Sequence, residues 1–291
     1  MIYVIMGPTC SGKTDVANFL IDKLNCDAIN FDAFQIYQDM NIGTAKISKQ
    51  DPHYSRYHLL DIKKPNETFS VMEYQELCRK TIDELSKKYQ DIILVGGTGL
   101  YVRAALYDYV FEKEEESDNS DLENKSNEEL WNLLQELDIE ESQKIHQNNR
   151  KRLIRAISLI RSRGTKKTEL LNKQEHKPIY KDVRFIFISP YRHNLYEKIN
   201  KRVELMFEDG LINEVKNLID KYQLSLTATQ GIGYKEVIQY LNKELTLEEC
   251  IALIQKRTRN YAKRQVTFFK NQFEYELYSS KEEAIKALQG D

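Results

Sequence analysis

The chain has 291 residues, of which 41% are hydrophobic and 30% charged, and its formal net charge at pH 7 is −2. This length exceeds the chain length that a single hydrophobic core usually supports, so we expect one large domain with an insertion, or two domains that share a cleft. No apolar stretch approaches the roughly 20 residues of a membrane-spanning helix, and the start lacks the basic flank of a secretory signal, so we expect a cytoplasmic protein without membrane contact.

Short apolar runs alternate with helical patterns along much of the chain. Strands are predicted at 2–6, 28–31, 57–62, 92–95 and 184–188, and helices at 14–24 and 71–88. Strands separated by helices indicate a parallel α/β sheet. From residue 194 onward the periodicity is helical throughout, and 274–291 are expected to form a closing helix.

Residues 112–178 interrupt this alternation. Residues 112–141 hold 13 Asp or Glu against two Lys, and the patterns that follow are only helical. We therefore expect a helical insertion domain at 112–178 and a core domain made of 1–111 and 179–291. Residues 114–126 are expected to be flexible, because so many like charges cannot pack a core.

Two basic segments contain no acidic residue. Residues 149–167 hold eight Lys or Arg, and residues 255–270 hold six, interleaved with Tyr261, Phe268 and Phe269. Unopposed charge of this kind suits a surface that faces a polyanion. Two solvated helix faces explain the charge equally well.

Residues 7–14 carry the clearest motif, between a predicted strand and a predicted helix. They read Gly7-Pro8-Thr9-Cys10-Ser11-Gly12-Lys13-Thr14, which fits G-x-x-x-x-G-K-[ST]. The glycines let backbone N–H groups surround phosphate oxygens, and the helix N-terminus adds about half a positive charge. Lys13 supplies a cation and Thr14 a hydroxyl for Mg²⁺. The motif indicates a cradle for a di- or triphosphate.

Asp32 ends the second predicted strand, at the sheet edge that also carries the phosphate-binding loop. Its carboxylate is expected to face the bound phosphates. It could hold Mg²⁺, accept a proton from a nucleophile, or cap the next helix. The sequence alone does not separate these roles.

The strand at 92–95 ends in Gly96-Gly97-Thr98-Gly99, where nucleotide hydrolases of this type usually place Asp. The glycines let a substrate approach the backbone and the Thr98 hydroxyl, although such a turn is more often a packing feature. The predicted fold is α/β: a P-loop NTPase-like parallel sheet core flanked by helices, with a mainly helical insertion domain.

Several segments, taken in order, resemble the bacterial tRNA dimethylallyltransferase (IPP transferase) family. The resemblance covers nearly the whole chain, and 151–155 also look like a tRNA-contacting stretch of the family. The matching segments are the loop 7–14, Asp32-x-x-Gln35-x-Tyr37, Gly43-Thr44-Ala45-Lys46, Gly96-Gly97-Thr98-Gly99-Leu100-Tyr101, Gly231-Ile232-Gly233-Tyr234-Lys235-Glu236 and Thr258-Arg259-Asn260-Tyr261-Ala262-Lys263-Arg264-Gln265.

The resemblance implies a prenyl transfer. A dimethylallyl group would pass from dimethylallyl diphosphate to N6 of the adenosine immediately 3′ of the anticodon in tRNA, and diphosphate would leave. The loop 7–14 would hold that diphosphate, with Mg²⁺ on Thr14 and Arg259 as a distal cation. Asp32 would be the base and Thr98 would lie near the adenine, while Lys13 and Thr14 would stabilise the departing oxygens.

The resemblance also implies contacts with the anticodon stem-loop of tRNA, whose target base must be flipped out to reach a cleft. Tyr37 could also orient the base, but core packing is an equal alternative for it. The expected protein is a monomer. The implied tRNA-binding residues are Asp32, Ala33, Phe34, Gln35, Lys151, Arg152, Leu153, Ile154, Arg155, Gly231, Ile232, Gly233, Tyr234 and Lys235.

The chain departs from the family pattern at a few positions. An arginine that the family commonly has about twenty residues after the GGT turn is Ser120 here, and Arg103 is one candidate to replace it. Ala33 stands where serine is more usual, and Cys10 where alanine is common. Neither of these two changes obviously prevents catalysis.

Two other functions fit parts of the sequence. A small-molecule kinase could use the same nucleotide-binding loop with ATP, but the two basic segments argue against it. An RNA-binding protein with a vestigial loop is the third hypothesis, and the intact Lys13, Thr14 and Asp32 argue against that.

Overall fold

The computed structural model describes residues 1–109, 111, 120–166, 168 and 176–290. The chain divides into two compact units, one of Met1–Leu106 with Tyr180–Asp291 and the other of Tyr107–Ile179. The second unit begins a few residues before the predicted insertion. Within the described ranges, no helix is both long and apolar enough to cross a membrane.

A parallel sheet forms the centre of the first unit. The described residues give it six strands in the order β3-β2-β4-β1-β5-β6, and every pairing is parallel. Strand β4 is buried along its whole length, which is why its sequence is an uninterrupted apolar run. The predicted parallel α/β sheet is confirmed. The strands are β1 (Ile2–Met6), β2 (Ala28–Asn30), β3 (Tyr57–His58), β4 (Ile92–Gly96), β5 (Val183–Ile188) and β6 (Glu276–Tyr278).

Helices flank the sheet, and a separate group of them builds the second unit. A 3₁₀ turn at Tyr54–Arg56 precedes β3. The α-helices of the described residues are α1 (Lys13–Leu24), α2 (Val71–Leu85), α3 (Gly99–Leu106), α4 (Ser120–Glu123), α5 (Asn127–Leu137), α6 (Ile139–Lys144), α7 (Arg150–Arg163), α8 (Arg192–Glu208), α9 (Leu211–Lys221), α10 (Leu226–Thr229), α11 (Tyr234–Leu241), α12 (Leu247–Gln272) and α13 (Lys281–Gln289).

Two predictions about strands were wrong. The strand predicted at 57–62 ends at His58, because Leu59 and Asp61 have φ of 60° and 53°, in the left-handed region that interrupts an extended chain. The closing segment is not one helix: β6 precedes α13, which begins after the Ser280 N-cap. Strand β6 has only three residues and leaves Leu277 exposed, so its apolar signal is weak.

The second unit packs its own apolar core from α4, α5 and α7. Arg150 connects α7 to α4 and to the residues that follow α4, since its guanidinium donates to the carbonyls of Leu122 and Lys125. Residues 120–126 include α4 and the Ser126 cap of α5, contrary to the flexibility expected there, and 112–119 lie outside the described residues. The buried core residues are Leu122, Leu130, Leu134, Ile145, Leu153, Ala156, Ile157 and Ile160.

Candidate active site

The first unit contains a cavity of about 510 Å³ at the carboxyl ends of β1, β2 and β4. The loop 7–14 forms one wall. The segments 43–45 and 230–232 contribute another, and Thr258, Tyr261, Arg264 and Gln265 of α12 also face the cavity. Ligands of open parallel sheets bind at this edge, because the loops after the strands converge there.

The loop 7–14 has the backbone that its motif predicts. Gly12 has φ of +88° and directly precedes α1, so the helix N-terminus faces the cavity. A Cβ on Gly7 would lie 2.4 Å from the carbonyl oxygen of Ile188, so only glycine fits. Ser11 is buried, and its Oγ has no hydrogen-bond partner among the described residues. These features suit a helix N-terminus that binds an anion, with an additional hydroxyl beside it.

Lys13 points back along the loop, and its Nζ donates a 2.7 Å hydrogen bond to the carbonyl oxygen of Pro8. Burial lowers the pKa of Lys13 to about 8, although the nearby Asp32 carboxylate raises it. An anion that arrives at the loop therefore meets an ammonium group that water solvates poorly, and it would stabilise the charged form.

Arg202 of α8 lies at the same loop, although no motif in the sequence predicted it. Its guanidinium donates to Thr9 Oγ1 at 2.7 Å and lies 3.5 Å from Cys10 Sγ. Arg202 is one of many charged residues in its helix and belongs to no local motif, so only its place one turn from the buried Ile199 and Met206 indicates an inward position.

The two arginines named from the sequence as possible site cations lie elsewhere. Arg259 does not line the cavity, and its guanidinium donates to Asn200 Oδ1 at 2.5 Å. Arg103 on α3 does not line it either, whereas Arg202 and Arg264 do. A diphosphate role for Arg259 therefore stays a prediction, and Arg202 is the better placed cation.

Asp32 uses one carboxylate oxygen for the backbone and leaves the other toward the glycine turn. Its Oδ1 accepts from the amide of Phe34 at 3.0 Å, a local Asx turn. Its Oδ2 lies 3.6 Å from where a Cβ on Gly97 would be, a position that the side-chain amide of Gln265 occupies. The residues that follow Asp32 form a turn and not a helix, so the helix-capping alternative was wrong, and this turn uses only one of the two carboxylate oxygens.

Thr98 joins the glycine turn to the segment that carries Asp32. Its amide donates to the carbonyl oxygen of Phe31 at 3.1 Å, and its Oγ1 accepts from the amide of Ala33 at 3.0 Å. Thr98 does not line the cavity, but Tyr261 beside it does. Burial, together with the charge of Asp32, raises the pKa of the Tyr261 phenol, which therefore stays protonated.

The wall formed by 43–45 and 230–232 depends on Glu214 of α9, a second residue that no sequence motif predicted. Its carboxylate accepts from the amides of Asn41, Ile42 and Gly43 at 2.8–3.2 Å and from the Tyr234 hydroxyl at 2.7 Å. A Cβ on Gly43 would lie 2.5 Å from the Tyr234 ring, which explains the glycine. This contact brings the two motifs that contain Gly43 and Tyr234 together.

Some of the predicted tRNA-binding residues of the first unit line the cavity, and others do not. Ala33, Gly233 and Lys235 do not line the cavity, and Tyr37 is fully buried, in agreement with its core-packing alternative. Gln35 donates to the carbonyl oxygen of Thr44 at 3.2 Å. Those that line the cavity are Asp32, Phe34, Gln35, Gly231, Ile232 and Tyr234.

The predicted tRNA-contacting stretch at 151–155 lies on α7 of the second unit. Leu153 is 0% exposed and belongs to the core of that unit, and Ile154 packs against the same core. Leu153 is therefore not accessible to a partner, whereas Ile154 is half-buried. Lys151, Arg152 and Arg155 are exposed, so the cationic part of the prediction has the required accessibility.

The cavity suits Mg²⁺ only in part. Thr14 and Asp32 both line it, and hydroxyl and carboxylate oxygens are ligands that Mg²⁺ accepts. Among the residues that the structure describes, no cluster of three or more His, Cys, Asp or Glu could hold a metal ion. The arrangement fits an ion that takes most of its ligands from phosphate oxygens and water.

A parallel sheet whose first strand runs into a G-x-x-x-x-G-K-[ST] loop, with three cations (Lys13, Arg202 and Arg264) and the Asp32 carboxylate around one cavity, defines a P-loop-type phosphate-binding protein. The family model described as IPP transferase matches residues 35–272. The chain belongs to the IPP transferase family.

Similar proteins cover almost the entire chain. A tRNA dimethylallyltransferase of Anoxybacillus flavithermus is 40% identical over 286 residues, which are 98% of this chain and 92% of that protein. The crystal structure of a full-length tRNA isopentenylpyrophosphate transferase from Bacillus halodurans is 34% identical, with a TM-score of 0.74 over 99% of this chain and 95% of that one. A eukaryotic dimethylallyltransferase captured acting on tRNA is 28% identical, with a TM-score of 0.79 over 92% of this chain and 69% of that one.

Proposed function

We propose that this protein transfers the dimethylallyl group of dimethylallyl diphosphate to N6 of the adenosine immediately 3′ of the anticodon in tRNA, and releases diphosphate. One observation carries the proposal: a phosphate-binding loop and the Asp32 carboxylate face the same cavity in a member of the IPP transferase family. The name of the A. flavithermus relative supports the same reaction.

The loop end of the cavity would bind the leaving group. As the allylic C–O bond breaks, negative charge builds on the diphosphate oxygens, and donors already fixed around them stabilise the transition state more than the ground state. Lys13, Arg202 and the amides at the start of α1 are those donors. Mg²⁺ held by Thr14 and the diphosphate oxygens would neutralise further charge.

The opposite end would bind the acceptor adenine. Its N6 amino group is a weak nucleophile because the lone pair is delocalised into the ring. As N6 bonds to the allylic carbon, one N–H proton would pass to Asp32 Oδ2, the oxygen that the Phe34 amide does not use. A positioned base of this kind contributes about 10²–10⁴-fold to the rate.

Two features of the chain suit an RNA acceptor. Phe34, Ile232 and Tyr234 give the cavity apolar and aromatic surface for a flipped base, which stacking stabilises. Lys151, Arg152 and Arg155 offer exposed cations to the phosphate backbone. With tRNA as the substrate, we expect the reaction in the cytoplasm.

The test is a transfer assay with dimethylallyl diphosphate labelled in the allyl group, Mg²⁺ and unmodified tRNA. Label should enter the RNA and, after nuclease digestion, appear in a single modified adenosine next to the anticodon. An RNA with guanosine at that position serves as the matched control. Label that stays in small molecules, together with ATP consumption in a parallel reaction, would support the kinase alternative instead.

A further inference from the structure

The side-chain amide of Gln265 makes two hydrogen bonds that join separate loops of the cavity. Gln265 lies on α12 and is 5% exposed. Its Oε1 accepts from the amide of Thr9 at 2.9 Å, and its Nε2 donates to the carbonyl oxygen of Gly97 at 2.9 Å. One planar group thus connects the phosphate-binding loop to the glycine turn.

These two loops carry the two ends of the proposed reaction. Thr9 belongs to the loop after β1 and accepts the hydrogen bond from Arg202. Gly97 precedes Thr98, which is bonded to the Ala33 amide beside Asp32. Met6 and Gly96 are the last pair between β1 and β4, and the two backbone segments that follow them are no longer paired as strands. Gln265 spans that gap.

The chemistry of the contact selects an amide. Thr9 N–H needs an acceptor and Gly97 C=O needs a donor, and a neutral carboxamide offers both in one plane. A carboxylate offers only acceptors, and a thioether offers neither strong group. Gly97 is equally constrained, because a Cβ there would lie 2.3 Å from Gln265 Nε2.

We propose that Gln265 is a positioning residue, which fixes the distance between the diphosphate cradle and the acceptor site. The proposal rests on the function proposed above and adds to it how the two substrates are aligned. Loss of the bridge leaves each binding wall in place but changes their separation, so kcat falls while the KM for each substrate changes little. Misplacement of reacting groups by about 1 Å can cost about 100-fold in rate.

The decisive variant is Gln265→Glu, compared with wild type across a range of pH. A protonated glutamic acid has one O–H donor and one C=O acceptor and can replace the amide, whereas the ionised form cannot. We expect kcat relative to wild type to be reduced about 10- to 100-fold at alkaline pH and to recover as pH falls. Gln265→Met should show the same loss without recovery. Gln289→Glu, an exposed amide-to-acid change on α13, is the matched control and should follow wild type.

Thermal unfolding of each variant separates positioning from folding. A Gln265→Met enzyme with wild-type kcat would overturn the proposal. A Gln265→Glu enzyme whose loss of kcat is the same at every pH would also overturn it. So would a loss of kcat that is fully explained by a lower melting temperature of the variant. The wild-type arm tests the proposed function separately: if wild type transfers no label to tRNA, that function fails, whatever the variants do.

Discussion

The guanidinium of Arg202 donates a 2.7 Å hydrogen bond to the hydroxyl of Thr9, and this contact brings a cation from α8 to the phosphate-binding loop. The two residues are far apart in sequence, so no local motif links them. The contact places a second positive charge beside Lys13, and no carboxylate of the residues that the structure describes is paired with Arg202. Arg202 therefore has a charge available for a diphosphate.

Arg202→Ala should weaken binding of dimethylallyl diphosphate. A charge-assisted hydrogen bond is worth about 1.5–3 kcal/mol, so we expect the KM for the diphosphate substrate to rise about 10- to 100-fold. Arg259→Ala is the matched comparison on α12, because Arg259 bonds to Asn200 and does not line the cavity. A larger effect of Arg259→Ala would return the distal cation role to that residue.

Asp32→Asn should reduce kcat by about 10²–10⁴-fold, because the amide can still accept from Phe34 but cannot take a proton from the adenine amino group. Affinity for tRNA, measured by filter binding, should change little. Single-turnover transfer with saturating substrates is the suitable measurement. Transfer at the wild-type rate would contradict the assignment of Asp32 as the base.

The affinity for diphosphate should depend on the ionisation of Lys13. Burial lowers the pKa of Lys13 to about 8, so the ammonium form predominates below that pH and is lost as pH rises through it. Binding of inorganic pyrophosphate, measured by calorimetry, should therefore weaken above pH 8. The Lys13→Arg variant stays charged over the whole pH range, and its pyrophosphate ligand titrates as it does with wild type. The difference between the two curves of affinity against pH therefore reports the ionisation of Lys13 alone. Parallel curves for wild type and Lys13→Arg would show that ionisation of Lys13 does not control the affinity.

The exposed cations of α7 should contribute to the salt dependence of tRNA binding. Each lost phosphate contact lowers the slope of log K against log salt by about 0.7–0.9. The double variant Arg152→Ala with Arg155→Ala should therefore bind tRNA more weakly and with a flatter slope. Arg161→Ala is the control on the same helix, because Arg161 lies outside the predicted tRNA-contacting stretch 151–155. An unchanged slope would support solvated surface charges instead.

Glu214→Ala should destabilise the first unit, because three backbone amides and the Tyr234 hydroxyl lose their shared acceptor. Donors left without partners cost about 1–3 kcal/mol in the free energy of unfolding. Urea denaturation measures the change. Tyr234→Phe removes only one of the four bonds and should cost less; an equal cost would show that the backbone bonds contribute nothing.

Local patterns were sufficient for the phosphate-binding loop and for most of the sheet. The loop 7–14 needs glycine at fixed positions and a helix directly after it; the glycines are visible in eight consecutive residues, and the helix is visible in the apolar spacing of 14–24. The buried strands β1 and β4 are apolar runs bounded by turn residues. Strand β6 escaped prediction because a three-residue strand with an exposed leucine leaves almost no periodic signal.

The sequence by itself determined which chemical groups are present: a phosphate-binding loop, a carboxylate after β2, a glycine turn after β4 and two basic segments. Only the tertiary structure decided which distant side chains complete the cavity, namely Arg202, Glu214 and Gln265. It also decided that Leu153 and Tyr37 pack in cores. The physical reason is that motifs reflect local backbone geometry, whereas contacts between α8, α9 or α12 and the sheet edge depend on how the helices pack, which short-range spacing does not encode.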